Sequence, residues 1–206
     1  MTSYNREQLE ALHLVRRQLA SMGEEGLAAL RRRIDRYLAF RNELEEFLQG
    51  RFGDICTEKC FRSRLSACCT REGIIVFFAD VVVNALASSP QQLDVLEQVL
   101  ESGHCGRAQG FKCVFLKESG CLWQVRPIVC AMFLCDPAKE RGFGQDPEAA
   151  RHWAEFEARR KAFTWPDRPV LFDDLETVFL EAGCRSPLMH LHFNPGLRMV
   201  KKKAGY

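Results

Sequence analysis

Ten cysteines in a chain of 206 residues constrain this protein more than any other feature. Eight fall into two groups. Cys56, Cys60, Cys68 and Cys69 form a C-x3-C-x7-C-C run, and Cys113, Cys121, Cys130 and Cys135 are spaced C-x7-C-x8-C-x4-C. The chain opens Met-Thr-Ser-Tyr-Asn-Arg-Glu-Gln, with no apolar core of the secretory type, which predicts no signal peptide and a cytoplasmic location. A reducing cytosol does not keep structural disulfides, so cysteine at this density predicts metal thiolates or redox chemistry. Thiolate sulfur is a soft donor that suits zinc or an iron–sulfur cluster, and ligand type leaves the choice between them open.

Composition narrows the setting. Hydrophobic residues make up 47% of the chain and charged residues 27%, as in ordinary globular proteins. A net charge of +2 gives no whole-chain field that would call for nucleic acid. The longest apolar stretch, Ile74 to Ala87, carries Asp80 and Asn84 and is shorter than the ~20 residues that span a bilayer. It reads as a buried helix, and no membrane partner is expected. Arg31-Arg32-Arg33 and Arg159-Arg160-Lys161 sit in helical patterns rich in acids and read as solvated faces; Lys201-Lys202-Lys203 lie in a basic tail.

The periodicity predicts a mostly α protein. Leu9, Leu12, Val15 and Leu19 mark a helix over 4–22, and Leu30, Ile34, Tyr37, Leu44 and Leu48 mark a second over 24–50, with Gly50 and Gly53 as the stop. Together these make an N-terminal helical hairpin, residues 1–52. It either packs on its own domain or offers a surface for self-association or a protein partner. Residues 53–190 read as a loop-rich cysteine-cluster domain stapled by metal and flanked by helices. Those helices are expected over 71–88 after a short extended start, 90–102, 147–163 and 173–183, the last capped by Asp173 and ended by Gly183. Gly103 to Gly110 and Trp165 to Pro169 read as loop and breaker. Residues 111–136 read as irregular loop with short extended pieces, closed by Asp136-Pro137. The tail, 191–206, follows an alternating stretch from Pro187 that fits a short strand.

The eight clustered cysteines are the candidate metal ligands. Cys56 and Cys60, four apart, share a face if their segment is helical. Cys68 and Cys69 point in different directions, so one of them is the expected ligand while the other packs or serves a second centre. Four thiolates around one ion let a loop-rich segment fold without a large core of its own. Cys105 and Cys184 read as small buried hydrophobes. Thiolates around a divalent metal leave net negative charge, which the guanidinium of Arg126 would offset, while Pro127 stiffens the loop. His190 and His192 share a face if extended, which allows a metal pair, and His104 beside Cys105 is a weaker candidate. No carboxylate pair is placed as an acid–base couple, and Gly142-Phe143-Gly144 is too slight a signal for a nucleotide loop.

Cys113-Val-Phe-Leu, followed by Gly120-Cys121-Leu-Trp-Gln-Val-Arg126-Pro127-Ile-Val-Cys130, resembles the YkgJ-type cysteine-cluster family, described as zinc- or iron-chelating. Cys56, Cys60, Cys68 and Cys69 fill the first half of that pattern. Cys113, Cys121, Trp123, Arg126, Pro127 and Cys130 fill the second. The match covers about residues 55–136. The gap before Cys68-Cys69 is longer than the family's, and Ala131 stands where the family has arginine. The resemblance implies binding of zinc or an iron–sulfur cluster and does not settle an activity; the expected function is a non-catalytic module that handles metal, electrons or a partner. Some relatives carry the name flagellin lysine N-methylase, so the alternative is a cluster-containing enzyme of that kind.

Overall fold

The computed structural model describes residues 3–62, 69, 75–102, 113–117, 119–144, 146–164, 170–193 and 196. Eight α-helices lie among them: α1 Ser3–Ser21, α2 Glu24–Cys56, α3 Phe78–Ala87, α4 Pro90–Ser102, α5 Ile128–Ala131, α6 Asp136–Phe143, α7 Pro147–Thr164 and α8 Leu171–Glu181. The strands described, β1 Leu116–Lys117 and β2 Gly120–Cys121, pair antiparallel, with Leu116 opposite Cys121. The expectation of a mostly α chain holds. The basic tail beyond 193, the loop 103–110 with His104 and Cys105, and the breaker 165–169 lie outside the described residues.

The second helix runs further than its glycines suggest. A glycine inside a helix costs about 1 kcal/mol against alanine. Yet α2 passes Gly50 and Gly53 and reaches Cys56, because Leu48, Phe52 and Ile55 continue the buried stripe. Burial of three such side chains outweighs two glycine penalties, at roughly 1.5–3 kcal/mol each. Beyond Cys56 the chain widens into a π-helical turn, Thr57–Arg62, a local departure often found at functional sites.

α2 is the spine. Tyr37 meets Phe163 edge-on at 5.2 Å and Phe40 lies tilted to Phe156 at 6.2 Å, which seats α7 along it. Arg159 of α7 reaches over the Phe40 ring to Glu43, 2.6 Å away. Phe52 meets Phe143 of α6 edge-on at 5.4 Å. α1 packs on α3 and α4, with Arg16 bonded to Asp94 and Glu97 at 2.9 and 2.7 Å. The apolar stripes of α1 and α2 therefore belong to the same buried cluster as α3, α4, α7 and α8.

α3 sits inside this assembly. Every residue from Phe78 to Asn84 is buried, as expected of a helix apolar nearly all round. α6 was not expected: Asp136-Pro137 opens a helix instead of closing a loop, since proline fits a first turn whose N–H groups lack partners anyway. α8 starts two residues earlier than expected, with Asp173 reaching back from its third position to the Val170 N–H at 3.1 Å. It ends as expected at Gly183, φ +79°, where the Cys184 N–H bonds the Phe179 carbonyl at 2.9 Å. The short strand expected after Pro187 is instead a run of turns and a 3₁₀ turn, Leu191–Phe193. No helix among the described residues is long and apolar enough to cross a membrane.

Candidate functional site

The second cysteine motif is built outward from α3. Asp80 and Asn84 stand one turn apart on that helix, 2% and 1% exposed. The Asn84 amide donates to the Val125 carbonyl at 2.7 Å and accepts from the Val125 N–H at 2.9 Å. Asp80 takes the Ile128 N–H at 3.1 Å on one oxygen and the Phe77 N–H at 3.0 Å on the other. The loop 125–128 is thus gripped on both sides of Arg126-Pro127. Pro127 is buried and sits at the N-terminal boundary of α5, the short helix that carries Cys130. Sequence reasoning noticed Asp80 and Asn84 only as polar interruptions. Their spacing of four within an apolar run was the available signal that one helix face carries a buried polar task.

Upstream, Gly120 adopts φ +117°, a conformation that favours glycine, and sets Cys121 in β2. Phe115 packs edge-on against Trp123 at 5.2 Å. The Cys113 N–H donates to the Cys69 carbonyl at 3.0 Å, which joins the end of the first motif to the start of the second. Cys56, Cys69, Cys130 and Cys135 line one cavity of about 60 Å³, with Arg126 and Phe52 in its walls. On that measure one water needs ~10–15 Å³, so the cavity is roomy for a small ligand. Cys135 enters it from the residue before α6, and Gly142 lets α6 come close. A Cβ at Gly142 would stand 2.1 Å from the Phe52 ring, so this glycine serves helix packing.

Of the eight candidate ligands, Cys56, Cys69, Cys113, Cys121, Cys130 and Cys135 are all half-buried. Cys68 and the side chain of Cys60 lie outside the described residues. Among the described residues no group of three or more His, Cys, Asp or Glu side chains is placed to hold a metal ion. The donor set of the cavity nevertheless fits a soft metal in kind: thiols from both motifs beside a guanidinium. Burial pushes the Cys130 thiol up to about 11, and the Cys121 sulfur adds to the effect. Burial also raises Cys121, against the Trp123 backbone N–H and the Arg126 charge. Both are neutral thiols near pH 7, and the Cys130 S–H points at the Ile75 carbonyl, 3.7 Å away.

Arg126 does more than face sulfur. Its guanidinium bonds Glu45 of α2 at 2.9 and 3.3 Å. Burial works against its charge, but Glu45, Cys121 and Cys69 outweigh that and lift its pKa further. Glu45 was not foreseen, because nothing in its spacing on α2 separates it from the surface acids around it.

His190 and His192 both approach the Glu176 carboxylate, at 3.3 and 3.4 Å, but differ in burial. His190 is exposed, with φ +62°, whereas the His192 side chain is fully buried. His192 bonds Asp173 at 2.8 Å through Nε2 and lies 3.4 Å from Glu176 through Nδ1. This is an internal charge cluster between the turn Leu191–Phe193 and α8, not the histidine metal pair that an extended segment would have allowed. No protein-family model, curated protein or solved structure matches the chain, so the family resemblance rests on its two motifs.

Proposed function

We propose that the protein is a metal-binding module that coordinates zinc or an iron–sulfur cluster through cysteines of both motifs. Its role would be to handle metal or electrons, or to serve as an interaction module, without catalysis of its own. The observation that carries this reading is the cavity lined by Cys56 and Cys69 from one motif and Cys130 and Cys135 from the other, beside Arg126. Bound zinc would cross-link the two motifs, and a cluster would add one-electron chemistry. The chain's own contribution is softness, charge and enclosure. Arg126 offsets the negative charge of thiolates, and its tie to Glu45 fixes the plane in which it does so. Since Cys121 and Cys130 are held as thiols, loading must release protons, and affinity should rise with pH. A protein partner would have to use the outer faces of α1 and α2, because their apolar stripes are buried.

Anaerobic purification, elemental analysis and a visible spectrum test this directly. The expected result is near-stoichiometric zinc or iron, with visible absorption only for a cluster. Cys130→Ser should lower the metal content severalfold. Chelation should loosen the region of the two motifs while α1 and α2 keep most of the helical signal. A protein that stays metal-free after anaerobic reconstitution, with an unchanged melting curve, would sink the proposal.

A further inference from the structure

We infer that Asp80 and Asn84 are positioning residues for the metal site: α3, which supplies no thiol, sets where Cys130 and Arg126 stand. This inference rests on the metal-binding reading above and names what organises the site. α5 has four residues and cannot hold its own direction, because a helix of one turn does not meet its nucleation cost. Its bonds on the chain side are few: Ala131 N–H to Pro127 and Met132 N–H to Ile128, at 2.9 and 3.1 Å. The direction of the segment is instead imposed at 125 and 128 by the two α3 side chains.

The chemistry of the grip is specific. At Val125 one side chain must donate and accept at once, which an amide does and a carboxylate does not. The same Asn84 nitrogen also donates to the Asp80 carbonyl at 3.0 Å, so the amide is tied back to its own helix. At Ile128 and Phe77 one side chain must accept through two separate atoms, which a carboxylate does and an amide does not. Between these anchors lie Arg126 and Pro127, and Cys130 follows two residues after Ile128. A shift of the loop would move the guanidinium and the thiol together, so both would lose their aim at the cavity.

The test uses the full chain with cobalt(II) and zinc, and with ferrous iron plus sulfide under anaerobic conditions. Asn84→Asp keeps size and the acceptor for the Val125 N–H but sets a carboxylate oxygen against two carbonyls. It should weaken metal binding by about 10–100-fold, in the range usual for groups that orient ligands. It should also shift the sulfur-to-cobalt absorption. Asp80→Asn should fall between that variant and the wild type, since one of two acceptor sites survives. Leu12→Ala, in the core of α1, a helix that contributes no residue to the cavity wall, serves as a control: a lower melting point with unchanged affinity and spectrum. If Asn84→Asp fails to fold, Asn84→Ser decides in its place by the same readouts. Wild-type affinity and spectrum in the Asn84 variant overturn this inference alone. A wild-type protein that takes up none of the three metals overturns the metal reading, and this inference with it.

Discussion

Two aspartates occupy the same place on two helices and do different work. Asp80 is the third residue of α3 and Asp173 the third of α8, and each turns back to accept the N–H that precedes its helix. An acid there completes the helix end and suits the local dipole. Each has a second oxygen to spend. Asp80 gives it to the backbone N–H of Ile128, at the root of Cys130; Asp173 gives it to the imidazole of His192. One grip holds backbone and keeps its donor at any pH. The other holds a ring whose donors depend on pH. The same local rule thus anchors one loop through a donor that pH does not change and another through a donor that it does.

The difference should be largest on removal of the carboxylates. Asp80→Ala leaves two N–H groups unpaired in a site where every residue of α3 nearby is buried. Each such loss costs about 1–3 kcal/mol, so the variant should lose about 3 kcal/mol and about 9 °C in Tm by circular dichroism. Asp173→Ala should lose less, about 2 kcal/mol, because Asp173 is itself 22% exposed and water can enter the space its carboxylate leaves, although His192 is buried. Equal losses in the two variants would break the comparison.

What the sequence reveals of the molecule follows from the same logic. The long helices are legible because their stripes recur at helical period, as Ile34, Tyr37, Leu44 and Leu48 do. The packing of α1 on α3 and α4 is not, since an apolar stripe does not name its partner. The extension of α2 to Cys56 was hidden by glycine, whose local cost was overruled by burial at Phe52, and the start of α6 by a proline that suits a first turn as well as a loop. The cysteines and Arg126 announce a site by residue type and spacing. Asp80, Asn84 and Glu45 do not, because their partners lie 41 to 81 residues away in the chain.

A second experiment asks whether the cavity is set by the grip from α3 or by α6, whose Ala138 lines its wall. Gly142→Ala drives a methyl group into the Phe52 ring, which belongs to both the core and the cavity wall. Overpacking of this kind costs about 2 kcal/mol. Thermal melts should show that loss, smaller than the loss in Asp80→Ala. Metal affinity should fall less than in Asn84→Asp, because Phe52 can tilt while Val125 and Ile128 stay bonded. A larger fall in affinity for Gly142→Ala would move control of the site from α3 to α6.

The smallest effect is the conditional one, and pH separates it from its counterpart. Burial works against charge on His192, but Glu176 and Asp173 outweigh it and raise the folded pKa above 6.5. Below 6.5 both folded and unfolded chains carry the proton, and the full stabilisation is present. As pH rises through the folded value that contribution is lost, since a neutral ring cannot donate to both carboxylates; the loss should be about 1 kcal/mol. Asp80 acts in a lower window. Burial lifts it from 3.8 to about 6, against the Phe77 and Ile128 N–H groups. The folded chain then holds a proton that the unfolded chain releases, and stability falls as pH rises from 3.8 to about 6. Urea melts across pH, read as variant minus wild type, should therefore resolve two windows. His192→Gln, which never titrates, should flatten only the slope above 6.5, and Asp80→Asn only the slope below about 6. If His192→Gln leaves the upper slope intact, the hold of α8 on the turn Leu191–Phe193 depends on pH no more than do the backbone donors that α3 holds in the cysteine loop.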